Sequence, residues 1–165
     1  MKPTPCIRLR ELTVQDAAAV FEITGDPEAA KYMRFDVHTS LEQARQLVEE
    51  YRLGGLAFAV LSPSGEFVGY LAMYASDEEP GCYGMSTMIA PRFWNQGYGT
   101  AMVAAAKEMA MDPDSPVRAL TGHVVGDNLG SRRMLEKNGF TVAQKLTFED
   151  LPSGLYVYRF ENTQK

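Results

Sequence analysis

The sequence predicts an α/β (α+β) chain in which helices flank one mixed sheet, antiparallel at first and crossing over later. Three observations predict it. Two apolar runs, Leu56 to Leu61 and Phe67 to Tyr74, are joined by Ser62-Pro63-Ser64-Gly65, a turn composition suited to an antiparallel hairpin. From Met85 to Met111 a short apolar run, a Gly-rich turn and an Ala- and Met-rich stretch follow one another, which reads as strand, turn and helix. Beyond Asp112 a strand and a helix alternate once more before two closing strands.

In chain order, Ile7, Leu9 and Leu12 mark a first strand. Thr13 then stands where an N-cap belongs, ahead of Asp16 and the apolar run Ala17 to Phe21. Gly25-Asp26-Pro27 breaks that helix, and a short helix from Pro27 to about Tyr32 follows, with proline in the first turn. Arg34 to His38 is a loop. Thr39 and Glu42 have the spacing of a capping box, and Leu41, Ala44, Leu47, Val48 and Tyr51 recur at helical spacing up to Gly54-Gly55. After the hairpin, Asp77 to Gly81 is an acidic loop, and a strand from about Cys82 to Ala90 leads into the Gly-rich turn. Asp112 to Pro116 ends the apolar helix, and Val117 to Val125 is the next strand. A helix from about Asp127 stops at Asn138-Gly139, a favoured helix end. Strands Phe140 to Phe148 and Leu155 to Phe160 close the chain around Glu149 to Gly154.

Size and composition narrow the function classes. The 165 residues suit one domain, 1–165, with 45% hydrophobic and 22% charged residues, ordinary for a soluble protein. A formal charge of −5 argues against a nucleic-acid or acidic-membrane partner and fits a cationic or neutral amine substrate. Cys6 and Cys82 form no framework and no CxxC, so a disulfide or structural zinc is not expected and a reducing cytoplasm is. His38 and His123 are too far apart in sequence to found a metal centre. The opening MKPTPCIRLR lacks a signal-peptide core, and no run approaches membrane-spanning length.

The turn Asn95-Gln96-Gly97-Tyr98-Gly99 gathers main-chain N–H groups that the following helix cannot satisfy, at the end where the helix dipole is positive. Such a turn can hold a phosphate; the plain alternative is a strand-to-helix bend that needs only the glycines. No Gly-Lys-Ser/Thr follows, and no third glycine completes a dinucleotide fingerprint, so neither a P-loop nor a Rossmann site is present.

A second constellation lies thirty residues on. In Asp127 to Phe140, Asn128, Ser131 and Leu135 fall on nearly one helix face. Taken together, Trp94-Asn95-Gln96-Gly97-Tyr98-Gly99-Thr100 and Asn128-x-x-Ser131 with Glu136-Lys137-Asn138-Gly139-Phe140 resemble the GNAT acetyltransferase superfamily, the first as its pyrophosphate loop and the second as its other acetyl-CoA segment. The element order from Ile7 to Phe160 shares the likeness. Phe93-Trp94 and Asn128-x-x-Ser131 are similar to the branch that acetylates ribosomal-protein N-termini, although Trp94 stands where many members have Gln or Arg, and an aromatic before a tight turn also serves packing.

The resemblance implies a central parallel strand pair that splays to admit the pantetheine arm of acetyl-CoA. Main-chain groups of Met88, Ile89 and Ala90 are expected to pair with that arm, and N–H groups of Gln96, Gly97, Tyr98, Gly99 and Thr100 to hold the pyrophosphate, with Arg92 at its side. Asn128 would hydrogen-bond the arm and Ser131 lie near the sulfur. The Tyr that many members use to protonate the thiolate is Leu135 here, which leaves Ser131 as the candidate acid or as a cofactor contact only. The position where many members carry a Glu base is Cys82; Asp77, Glu78 or Glu79 could relay a proton instead, Glu79 being the candidate retained, or positioning alone could carry the rate. The expected reaction is direct transfer of acetyl to a primary amine, on a small molecule or a peptide, without metal. A non-catalytic acyl-CoA-binding module is the rival reading, and an unrelated nucleotide-phosphate binder a third. A strand edge near the C-terminus offers a surface for a homodimer.

Overall fold

The computed structural model describes residues 4–33 and 36–165. The chain divides into two compact units, Met1–Tyr74 with Ser86–Met102, and Ala75–Met85 with Val103–Lys165. The strands β1 (Arg8–Glu11), β2 (Gly55–Leu61), β3 (Phe67–Ala75) and β4 (Cys82–Ile89) neighbour one another in that order in the first unit, and in the second the order is β4, β5 (Ala119–Val125), β7 (Leu151–Glu161), β6 (Thr141–Phe148).

The first unit opens with β1 (Arg8–Glu11), a 3-10 turn at Val14–Asp16, α1 (Ala17–Thr24) and α2 (Pro27–Ala30). Asp26 caps α2 by accepting from Glu28 N at 2.9 Å, and the helix ends at Ala30, two residues short of expectation. The sequence reading placed the cap of α3 (Leu41–Gly54) one residue early. Ser40 is the cap: its backbone is extended, its Oγ accepts from Gln43 N at 3.4 Å, and Gln43 Oε1 accepts from Ser40 N at 3.1 Å. Glu42 instead pairs with Arg45 at 2.6 Å. Arg34 and Phe35, part of the loop expected before α3, lie outside the described residues.

β2 (Gly55–Leu61) pairs antiparallel with β1 and with β3 (Phe67–Ala75), as the hairpin composition predicts. Under these strands, buried Leu12, Val20, Ile23, Ala44, Val48 and Tyr70 form the core, with Met88 and Phe93 packed against it. Their helical members recur at i, i+3 or i, i+4, which is why α1 and α3 lay one face on the sheet.

β4 (Cys82–Ile89) contributes to both units. Over Cys82 to Met85 it pairs parallel with Ala119 to Gly122 of β5 (Ala119–Val125), the only parallel ladder among the described residues. In the second unit β5 pairs antiparallel with β7 (Leu151–Glu161), and β7 with β6 (Thr141–Phe148). Phe148 faces Leu151, so β7 starts four residues earlier than expected and Leu151 to Gly154 are strand rather than loop. Val103, Ala106, Ala110, Leu120, Leu135 and Tyr158 are buried from α4 (Tyr98–Met111), β5, α5 (Leu129–Lys137) and β7.

Candidate functional site

At the end of β4 the chain makes a 3-10 turn, Pro91–Phe93, then passes through Asn95 at φ 61° and Gly97 at φ 88° into α4. Side chains hold this path in place. Trp94 Nε1 donates to Ile89 O at 2.7 Å, Gln96 Nε2 donates to Arg92 O at 3.1 Å, and the Phe93 and Tyr98 rings meet edge to face at 5.7 Å. Ala101 N closes the first helical turn on Gly97 O. Among the described residues no protein acceptor meets the N–H groups of Gln96, Gly97, Tyr98 or Gly99. Four donors without a protein acceptor thus lie at the N-terminus of a 14-residue helix, where the dipole favours an anion. Thr100 lies half-buried in the same first turn.

Two expectations for this region change. Ala90 N donates to Val68 O at 2.9 Å and Ala90 O accepts from Phe93 N at 2.8 Å, so its main chain is already engaged within the protein and is withdrawn as a cofactor contact. Met88 O lies against Gly69 of β3. Strand alternation then turns the main-chain groups of Thr87 and Ile89 to the other edge of β4, and Ile89 O on that edge is the one held by Trp94. Arg92 is exposed, reaches Glu66 at 3.4 Å and stacks over Phe93 at 4.5 Å; it flanks the turn without being fixed on it.

The second segment sits on α5. Asn128 is its N-cap, with Oδ1 accepting from Ser131 N at 3.3 Å. Ser131 is half-buried, and among the described residues its hydroxyl has no hydrogen bond. Leu135 is buried against β5: a Cβ added at Gly122 would meet its Cδ1 at 3.3 Å. It is a packing residue and holds no proton. Sequence reasoning missed the cluster beside it. Tyr158, fully buried, donates to Glu136 Oε1 at 2.6 Å and accepts from Arg132 Nε at 3.1 Å, while Arg132 stacks over Tyr156 at 4.0 Å. Burial and the Glu136 bond push the phenol up, and the guanidinium offsets part of this. The i, i+4 spacing of Arg132 and Glu136 was the signal available in the sequence.

The Glu79 carboxylate is held by two guanidinium groups. It accepts from Arg159 at 2.6 and 3.0 Å and from Arg118 at 2.8 Å, and these guanidinium groups, Arg159 first, pull it from its ordinary 4.5 to about 2. A carboxylate with so low a pKa takes a proton from an ammonium poorly. Cys82 lies within the same cluster, with Arg159 Nη1 3.6 Å from its sulfur. Burial, then Glu79, raise its thiol above the ordinary range, so it stays protonated at neutral pH. Glu79→Gln is therefore expected to leave turnover near neutral pH, and its pH profile, as they are. Its effect is on stability. The depressed carboxylate stabilises the fold above its ordinary 4.5, and that contribution is lost as pH falls towards about 2, so the Tm gap between parent and variant should close over that window.

The first unit also holds a hydroxyl cluster. Tyr51 Oη lies 2.9 Å from Ser86 Oγ and 3.4 Å from Tyr70 Oη. Nearby on α3 an open groove of about 330 Å³ is lined by Asp36, His38, Gln43, Gln46, Leu47 and Glu50. Burial lowers the His38 pKa. Among the described residues, no three His, Cys, Asp or Glu side chains are placed to hold a metal ion, and no helix is long and apolar enough to cross a membrane.

Solved structures share this fold. An acetyltransferase of the GNAT family from Bacillus anthracis superposes with a TM-score of 0.82 at 19% identity, covering 97% of each chain. The spermidine N-acetyltransferase from Vibrio cholerae, in complex with CoA and spermine, gives 0.80 at 14% identity over 94% of this chain and 95% of that one. AAC(6')-Ib in complex with ribostamycin and coenzyme A gives 0.79 at 22% identity over 96% and 94%. The fold is the one these three proteins share. Residues 7–141 match the family model described as Acetyltransferase (GNAT) domain, and the chain belongs to the GNAT acetyltransferase family, whose acyl donor is acetyl-CoA. The uncharacterized N-acetyltransferase p20 of Bacillus licheniformis is 26% identical over 106 residues, 61% of this chain and 60% of that protein's length. The uncharacterized N-acetyltransferase YoaA of Bacillus subtilis (strain 168) is 23% identical over 138 residues, 80% of this chain and 77% of its own length.

Proposed function

We infer that residues 1–165 act as one GNAT domain that moves the acetyl group of acetyl-CoA directly to a primary amine, with no covalent intermediate on the protein. The observation that carries this reading is the set of unpartnered N–H groups from Gln96 to Gly99 at the start of α4, which fits a pyrophosphate. The main chain of Thr87 and the N–H of Ile89, turned away from β3, are the edge that suits the arm of the cofactor, and Asn128 and Ser131 remain its candidate contacts on α5. When bound, acetyl-CoA supplies an activated acyl carbon and a thiolate leaving group. Ser131 Oγ, with no protein partner among the described residues, is the group in this segment that can donate a proton or hold a water that does. Ser131→Ala is expected to lower kcat about 10- to 100-fold while leaving the acetyl-CoA Kd within about twofold, a loss of acid–base assistance alone. An equal loss in both would make it a binding residue.

For the acceptor, the carboxylates of Asp36 and Glu50 beside an open groove, and a net charge of −5, support a cationic amine. The V. cholerae neighbour's spermine and the ribostamycin of AAC(6')-Ib are amines of this kind, each said of its own protein. A ribosomal-protein N-terminus stays among the acceptors to be tried. Trp94, which carries part of that likeness, has a structural reason of its own in the Ile89 bond. Two free cysteines, Cys6 exposed and Cys82 buried, support a reducing cytoplasm. β6, last in the sheet and exposed from Thr141 to Lys145, supports pairing of two copies along that edge.

Buried Leu135 and the committed Glu79 favour one second reading, a module that binds acyl-CoA without turnover. Calorimetric titration with acetyl-CoA, followed by thiol release against polyamines, aminoglycosides and N-terminal peptides, decides between them. Micromolar binding with release on one acceptor establishes the enzyme; binding with no release on any supports the module; no binding overturns both.

A further inference from the structure

With Glu79 held by two arginines and the Cys82 thiol raised, the proton that leaves the acceptor amine needs another route, and the first unit holds a chain of hydroxyls. Ser86 stands on β4 three residues before Ile89, about 10 Å of strand back from the turn, on the stretch that an arm anchored there has to follow. Its Oγ is 2.9 Å from Tyr51 Oη, which lies 3.4 Å from Tyr70 Oη, with the two rings 5.4 Å apart. Tyr70 is wholly buried, while Ser86 and Tyr51 are half-buried. Phenylalanine would fill the ring positions at 51 and 70 equally well. Burying a hydroxyl costs about 1 to 3 kcal/mol unless it is paired, and the buried Tyr70 hydroxyl meets Tyr51, which carries the contact on to half-buried Ser86. Among the described residues no carboxylate touches any of them. The chain can pass protons along without trapping one.

We propose that Ser86 is a catalytic residue and Tyr51 its positioning partner in a hydroxyl relay that carries the proton away from the acceptor nitrogen, an inference that rests on the acetyl-transfer reading above. As the N–C bond forms and the C–S bond breaks, Ser86 Oγ takes the proton released by nitrogen and gives its own to Tyr51 Oη. Tyr51 passes its original hydrogen to solvent water. Solvent water supplies the proton that the departing sulfur takes up, which matches the one Tyr51 releases, so none is consumed overall. Tyr70 fixes the Tyr51 hydroxyl from the buried side. The relay accounts for a site in which no side chain with a pKa near neutrality stands where other family members carry a carboxylate.

Tyr51→Phe, Ser86→Ala, the double variant and Ser86→Thr test it, with calorimetry for acetyl-CoA and turnover on the best acceptor of the parent. Each single removal should lower kcat about 10- to 100-fold with the acetyl-CoA Kd within about twofold of the parent. The double variant should be no slower than about threefold below the worse single, since the groups act as a unit. Ser86→Thr should regain about tenfold over Ser86→Ala, and added imidazole should accelerate the two removals but not the parent. Single variants within about threefold of the parent, or additive losses without imidazole rescue, overturn the relay while leaving the acetyltransferase reading intact. A parent that binds acetyl-CoA but turns over no amine overturns the functional reading, and the relay falls with it.

Discussion

Replacing Gly97 by valine is expected to weaken acetyl-CoA binding about 100-fold, roughly 2.7 kcal/mol, while lowering Tm by only about 3 to 8 °C. Two features make both changes unavoidable. At φ 88° a β-branched residue is strained by about 1 to 2 kcal/mol, and the added Cβ would sit 2.9 Å from Pro5 Cδ. The turn escapes by rotating its peptide planes, which re-aims the unpartnered N–H groups of Gln96 to Tyr98. Because those donors lose geometry rather than number, binding suffers more than folding. Scanning calorimetry beside titration with acetyl-CoA measures the two losses separately. A fall in Tm accounting for the whole loss of affinity would mean that Gly97 serves only the bend.

Gly69→Ala should rank next in effect, although no motif marks it. A Cβ there would lie 2.1 Å from Met88 O and 3.1 Å from Ile89 Cα, both main-chain atoms with no freedom to swing aside. β4 must move away from β3, at a cost of about 1 to 3 kcal/mol and a Tm lower by about 3 to 10 °C. The displaced segment contains Ile89, whose carbonyl anchors Trp94, and Ala90, whose N–H is tied to Val68. Acetyl-CoA affinity should therefore fall with stability although residue 69 itself reaches no ligand. Melting and titration on one sample check this. A Tm within about 1 °C of the parent would show that the sheet accommodates the methyl group.

Local chemistry made most of the scaffold legible. Apolar runs found β2, β3 and β5, and turn residues placed the hairpin and the end of α5, because each depends on neighbours within a few positions. The errors were also local and small. Ser40 outcompetes Thr39 as a cap because Gln43 reaches back to it, and β7 begins at Leu151 because Glu149 and Asp150 alone suffice to turn the chain from Phe148. The site was only half readable. A Gly-rich turn announces its free N–H groups by composition, whereas Glu79 with Arg159, or Tyr51 with Ser86, are separated by dozens of residues and meet only through the sheet. No periodicity can show that an acidic loop residue is neutralised by two arginines. The same holds for the backbone of Ala90, apolar by sequence and engaged on both sides by tertiary hydrogen bonds.

The indole of Trp94 ties the end of β4 to the turn, and the chain has one tryptophan. Nearly all of the protein's long-wavelength ultraviolet emission therefore originates within a few residues of the N–H cradle. Ligand arrival, loss of the Ile89 anchor and melting of that corner all read out as intensity or colour from a single built-in lamp, and no label has to be attached to see them.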